Sequence, residues 1–124
     1  MMNMSTILIV EDEASIRKLA AVNLTARGYT AIAVESAEEG LEQLRTHQVS
    51  LILLDIKLPG MRGWEFLTAM ASDLRIAPNI PVIVMTASAA DAEMQAPGYP
   101  NVVKILIKPF GTQVLIQAIA DVLA

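Results

Sequence analysis

Leu51-Ile52-Leu53-Leu54-Asp55 is an unbroken apolar run that ends on a carboxylate and is followed by Ile56-Lys57-Leu58-Pro59-Gly60. A run this short and this apolar, bounded by Pro and Gly, reads as a strand buried on both faces. Asp55 then lies where the strand leaves the core. In an open parallel sheet the carboxyl ends of the strands form the rim where ligands bind, so a strand-end Asp there is placed for chemistry rather than packing.

Three other apolar runs end in the same way. Ile7-Leu8-Ile9-Val10 runs into Glu11-Asp12-Glu13, Val82-Ile83-Val84-Met85 into Thr86, and Val102-Val103-Lys104-Ile105-Leu106-Ile107 into Lys108-Pro109. As parallel strands of one sheet, these four tips gather carboxylates, a hydroxyl and an ammonium on one edge.

Helical patterns fill the intervals. Residues from about Ala14 to Arg27 carry Ile16, Leu19, Ala20, Val22 and Leu24 at helical spacing, and Gly28 is a helix C-terminal signal. Tyr29 to Val34 is a β-prone strand. Ser36-Ala37-Glu38-Glu39 is a capping box that opens a helix with core stripe Ala37, Leu41 and Leu44. Trp64, Phe66, Leu67 and Met70 lie on the next helix, which fades between Leu74 and Pro78. Pro81 starts the fourth strand, where a missing N–H is tolerated. A short helix between Ala87 and Gln95 is stunted by Pro97, Gly98 and Pro100.

Thr112 to Leu123 makes the last helix. Gln113, Gln117 and Asp121 form a narrow polar stripe, while Val114, Leu115, Ile116, Ala118, Ile119, Val122 and Leu123 cover most of the rest. That arc is wider than packing on one sheet face requires and suggests a partner or a second copy of the chain. Five strands alternating with five helices give a doubly wound α/β sandwich, with few topologies left by the right-handed crossover rule.

At 124 residues the sequence fits one domain spanning 1–124. The net charge is -4 and the basic residues are scattered singly, which argues against direct nucleic-acid binding by this domain. Without cysteine there are no disulfides, thiol chemistry or thiolate metal sites. His47 is the lone histidine and is expected at an exposed helix end. Met1-Met2-Asn3-Met4-Ser5 lacks a basic leader region and no apolar run reaches a membrane span, so the expectation is a soluble, cytoplasmic protein with no membrane contact.

Glu11, Asp12 and Asp55 together make a hard oxygen site. Clustered carboxylates repel one another, and protonation or a cation is the usual remedy. With oxygen ligands alone, Mg²⁺ is the natural occupant. A carboxylate beside Mg²⁺ can accept a phosphoryl group as an acyl phosphate. Lys108 supplies a point charge for the phosphoryl oxygens and Thr86 a hydroxyl. Singly each has a plainer account: the acidic cluster favours a helix N-terminus, Asp55 a turn, Thr86 a strand and Lys108 solvent. Their coincidence at four strand ends favours the functional account.

Ile7 to Glu13, Leu53 to Met61 with Gly63, Met85-Thr86-Ala87 and Lys108-Pro109-Phe110 resemble, in order and spacing, the receiver domain of two-component response regulators. The resemblance implies a flavodoxin-like fold, a five-stranded parallel sheet of order 2-1-3-4-5. It implies that Asp55 takes a phosphoryl group from a phosphohistidine of a sensor histidine kinase or histidine phosphotransfer protein. Glu11, Asp12, Asp55 and the backbone carbonyl of Lys57 would hold Mg²⁺, and Thr86 and Lys108 would bind the phosphoryl group. Lys108-Pro109 would be cis. The face made by the fourth and fifth strands with the last two helices would pass the signal to a downstream protein or fused output domain, and the last helix could serve a homodimer. Such a protein is a signalling component that catalyses its own phosphorylation and dephosphorylation, not a conventional enzyme.

The sequence departs from that family at Ile105, where receivers usually carry Tyr or Phe; an isoleucine cannot swing a polar-tipped ring. Lys57 lies two residues past the acceptor, where its ammonium can pair with the phosphoryl group or stay in solvent. Two other classes compete. A phosphorylation-independent receiver-like interaction module is favoured by Ile105. A haloacid-dehalogenase-type, Mg-dependent aspartyl-phosphate phosphatase needs an Asp where Lys57 stands. A nucleotide or flavin site would need a Gly-rich loop where Glu11-Asp12-Glu13-Ala14 stands.

Overall fold

The computed structural model describes residues 5–124; the reading of Met1 to Met4 as free of a leader falls outside them. Eleven elements follow one another: β1 (Thr6–Val10), α1 (Ala14–Ala26), β2 (Thr30–Val34), α2 (Ala37–Thr46), β3 (Leu51–Asp55), α3 (Gly63–Ser72), β4 (Val82–Thr86), α4 (Ala89–Gln95), a 3-10 turn (Ala96–Gly98), β5 (Val102–Ile107) and α5 (Thr112–Leu123). All strand pairs are parallel, in the order β2-β1-β3-β4-β5. That is the expected doubly wound sheet, with β1, β3 and β4 inside it. Among the described residues no helix is long and apolar enough to cross a membrane.

Strand alternation feeds two cores. Leu8, Val10, Ile52, Leu54, Val82 and Val84 face α2 and α3, where they meet Leu41, Leu44, Phe66, Leu67 and Met70. Ile7, Ile9, Leu51, Leu53, Ile83 and Met85 face α1 and α5, where they meet Ala20, Leu24, Leu115, Ala118 and Ile119. Because both faces are covered, β1, β3 and β4 are apolar at every position but one end residue each, instead of alternating with polar residues.

The helix ends follow their signals. The Ser36 hydroxyl accepts from the Glu39 amide at 3.2 Å, capping α2. Gly28 takes φ 88°, and the Gly28 and Tyr29 amides donate to the carbonyls of Thr25 and Leu24. That is the paired closure a left-handed residue gives a helix C-terminus, and glycine takes it without strain. His47 stands exposed at the end of α2, as expected.

Two amphipathic readings need correction. On α1, Leu19 and Val22 are solvent-exposed, and Ala20 and Leu24 alone are fully buried. On α5, Ile116, Val122 and Leu123 are half-buried against the α1-facing core, and Val114 is the large apolar residue left exposed. The broad arc is therefore mostly used inside the molecule, since α5 packs on α1 as well as on β5. A further feature escaped the sequence reading. The β4–β5 register jumps from Val82↔Val102 to Ile83↔Lys104, so β5 carries one extra residue and every later side chain changes face. The shift sets Ile105 beside Val84 and Ile107 beside Thr86.

Gly63 opens α3 directly beneath the tip of β3. A Cβ there would lie 2.7 Å from Ile56 Cδ1, 2.8 Å from Ile56 Cα and 3.0 Å from the Asp55 carbonyl oxygen. Backbone atoms cannot retreat as a flexible side chain can. Gly63→Ala is therefore expected to lower the unfolding free energy by about 2 kcal/mol in urea denaturation; an unchanged midpoint would show that the α3 start moves freely.

Candidate functional site at the strand tips

The carboxyl end of the sheet gathers the residues singled out by sequence. Glu11 follows β1 and is fully buried; its backbone amide still pairs with the Val34 carbonyl at 3.1 Å, which carries the strand pairing one residue into the loop. Asp55 ends β3 at 4% exposure and Thr86 ends β4 at 3%. Asp12 is exposed beside them. Oxygens of Glu11, Asp12 and Asp55 lie within 4.8 Å of one another.

Lys108 closes the group from beyond β5. Its amide donates to the Thr86 carbonyl at 2.7 Å, tying the residue to the β4 tip, and the Lys108-Pro109 bond is cis. Its ammonium lies 2.7 Å from Glu11 Oε1 and 3.5 Å from Asp55 Oδ2. The other Asp55 oxygen accepts from the Lys57 amide at 3.1 Å, and Glu11 Oε2 accepts from the Glu13 amide at 3.1 Å. Lys57 itself is exposed. The Thr86 hydroxyl accepts from the Ser88 amide at 3.1 Å, which engages it with the loop leading to α4.

These contacts set the electrostatics. Burial, then the neighbouring Glu11 carboxylate, push the Asp55 carboxyl up to about 7, against the opposing pull of Lys108 and the Lys57 amide. Burial acts to lower the Lys108 pKa, but the contact with Glu11 and the charges of Asp55, Glu11 and Glu13 outweigh it and raise it. Three carboxylates thus face one ammonium, leaving a negative excess. Glu11 Oε1 is buried and meets the Lys108 ammonium at 2.7 Å. A hard-oxygen cluster with more carboxylates than ammonium groups fits a divalent cation of the Mg²⁺ type.

Ile105 is half-buried on the face shared with Trp64, Tyr99 and Val102. The Trp64 and Tyr99 rings stack there, with centroids 5.1 Å apart and planes at 23°. The site also contains a residue that the sequence reading missed. Arg17, within α1, donates to the carbonyls of Glu11 at 2.9 Å and Asp12 at 3.3 Å. The signal for it was slight: a basic residue one turn past the acidic tip.

Known proteins share both the fold and part of the sequence. The chain is 32% identical over 117 residues to "Transcriptional regulatory protein GlrR" of Escherichia coli (strain K12), an alignment covering 94% of this chain and 26% of that protein. It is 31% identical over 120 residues to "Transcriptional regulatory protein AfsQ1" of Streptomyces coelicolor, covering 97% of this chain and 52% of that protein. The chain thus spans about a quarter to a half of the length of these relatives. Chemotaxis response regulator CheY4 of Vibrio cholerae shares the fold with a TM-score of 0.87 at 24% identity, over 97% of this chain and 99% of that one. A sensor protein from Polaromonas sp. JS666 gives 0.85 at 27% identity, over 97% and 96%. The family model for the response regulator receiver domain matches residues 7–120, and the chain belongs to that family of two-component signalling domains.

Proposed function

We propose that Asp55 is the phosphoacceptor of this receiver, taking a phosphoryl group from a phosphohistidine of a sensor histidine kinase or histidine phosphotransfer protein. The observation that carries the reading is a buried carboxylate at a strand tip with an ammonium 3.5 Å away and a buried hydroxyl on the next strand. An Asp55 oxygen attacks phosphorus, the P–N bond to the donor imidazole breaks, and an acyl phosphate results. Lys108 then pairs with a phosphoryl oxygen and Thr86 donates its hydroxyl to another, giving up its place in the Ser88 loop. Glu11, Asp12, Asp55 and the Lys57 carbonyl would hold Mg²⁺, which when bound would neutralise charge on the transferring group.

Residues 1–124 act as one receiver unit, the face of β4, α4, β5 and α5 carries the output, and the same residues catalyse loss of the phosphoryl group. Relatives bearing regulator names and two to four times this length support a fused output domain as the target, and exposed Val114 leaves α5 available to a second copy. The competing module that signals without phosphorylation is favoured by Ile105, which offers no ring to rotate inward.

Incubation with Mg²⁺ and acetyl phosphate, followed by intact mass, tests the proposal. One added phosphoryl group is expected, dependent on Mg²⁺ and absent from Asp55→Asn. No added mass, together with no beryllofluoride complex, would leave the phosphorylation-independent module. Once formed, the acyl phosphate is expected to decay at a severalfold different rate in Lys57→Ala; equal decay would assign that ammonium to solvent.

A further inference from the structure

Arg17 sits in an unfavourable place for a cation. It lies in the first turns of α1, whose opening turn contains no acidic residue, and the N-terminus of a helix carries partial positive charge. Its guanidinium is nevertheless held in, with 14% of the side chain exposed. Helical side chains lean toward the N-terminus, and this one leans back over the β1–α1 loop. There its Nη1 donates to the Glu11 carbonyl at 2.9 Å and the Asp12 carbonyl at 3.3 Å, while Nη2 meets Glu35 Oε1 at 3.5 Å.

A second observation gives that contact a purpose. The N-cap of α1 is Glu13, and its side chain makes no capping hydrogen bond. The N-cap position therefore gives the loop no side-chain anchor; the Glu13 amide donates to Glu11 Oε2 within it, and Arg17 Nη1 adds an anchor from the opposite direction. Fixing two consecutive carbonyls fixes the peptide planes between Glu11, Asp12 and Glu13, and with them the directions in which the first two carboxylates leave the backbone.

We infer that Arg17 is a positioning residue for the cation site, clipping the Glu11 and Asp12 carbonyls so that both carboxylates stay directed at one ion. The inference rests on the proposed reading of the strand tips as a Mg²⁺ site. Two effects of Arg17 on that ion have opposite signs. Its charge repels a cation, whereas its clip removes the disorder that binding would otherwise have to overcome. The charge is directed at two carbonyls and paired with the Glu35 carboxylate, which offset its repulsion of the ion, so the clip dominates. Partners that orient metal ligands from behind typically change affinity by about tenfold or more when removed.

The sign makes the test decisive. Titration calorimetry of MgCl₂ into the full chain compares wild type with Arg17→Ala, Arg17→Lys and Glu35→Gln, each first shown to unfold cooperatively in EDTA. Arg17→Ala is expected to raise the Mg²⁺ Kd about tenfold with stoichiometry unchanged. Arg17→Lys keeps the charge but has one nitrogen where arginine uses Nη1 on the carbonyls and Nη2 on Glu35, so it should recover only part of that loss. Glu35→Gln should stay within about twofold, because an exposed pair contributes little. An Arg17→Ala protein that binds Mg²⁺ as tightly as wild type, or more tightly, overturns the inference, even if it is less stable in EDTA. Wild type that takes up no Mg²⁺ overturns both this inference and the metal reading beneath it.

Discussion

Lys108→Met, unfolded in urea with EDTA near pH 8, is expected to be about 3–5 kcal/mol less stable than wild type. The methionine keeps the unbranched stem, so the change removes an ammonium without opening a cavity. What it leaves behind is Glu11, fully buried, with its Oε1 stripped of the cation 2.7 Å away, and Asp55 with the same loss at 3.5 Å. Removing one partner of a buried pair is costly because the other charge stays uncompensated in low dielectric. Two further outcomes separate this cause from a packing defect. Acidification lets Asp55 take up its proton, so the deficit should shrink as pH falls. Saturating Mg²⁺ replaces the missing charge, so the deficit should shrink there as well. A loss below about 1 kcal/mol at pH 8 would place Lys108 among ordinary solvent-screened surface pairs.

The strands were legible in sequence for the same reason that the site is. β1, β3 and β4 are buried on both faces, so each is a short unbroken apolar run, and the first polar residue after it marks the point where the chain emerges at the rim. Glu11, Asp55 and Thr86 follow from that rule, whereas Lys108 does not, because β5 carries Lys104 within it and is exposed along much of its length. The helices were less transparent. Spacing showed that Leu19 and Val22 share α1 with Ala20 and Leu24, yet it could not tell which apolar residues meet a neighbour, and those two face solvent. The α5 arc misled in the opposite sense, because packing on α1 as well as on the sheet uses most of it. Arg17 was out of reach for a different reason. Its partners are main-chain carbonyls, whose direction depends on the path of the loop and leaves no trace in residue type. The β5 bulge is similar: one extra residue in Val102 to Ile107 leaves no mark in residue type.

Asp55→Asn is expected to raise the stability of the metal-free protein by about 2–3 kcal/mol near pH 8 and to change it little below about pH 4. Asp55 ionises near 3.8 in the unfolded chain but near about 7 in the folded one, chiefly through burial and the Glu11 carboxylate. Between those values the folded state holds a proton that the unfolded state has released. Stability therefore falls as pH rises through that window, and the penalty is complete above the folded value. At about 1.4 kcal/mol per tenfold change in proton affinity, the interval sets a ceiling of about 4 kcal/mol. Asparagine removes the titration but also the attraction to Lys108 at 3.5 Å, so the expected gain lies below that ceiling. Urea denaturation in EDTA at both pH values reads the difference, and equal or lower stability of Asp55→Asn at pH 8 would refute it. The direction is opposite to that of Lys108→Met, although both substitutions remove one charge from the same cluster. A site of the proposed kind, taking a cation and then a phosphoryl group, is frustrated when empty: too many carboxylates for its single ammonium. The strain relieved by Asp55→Asn is the same strain that a bound cation relieves, so Mg²⁺ should stabilise wild type more than the variant, and the gap between them should narrow as the ion is added.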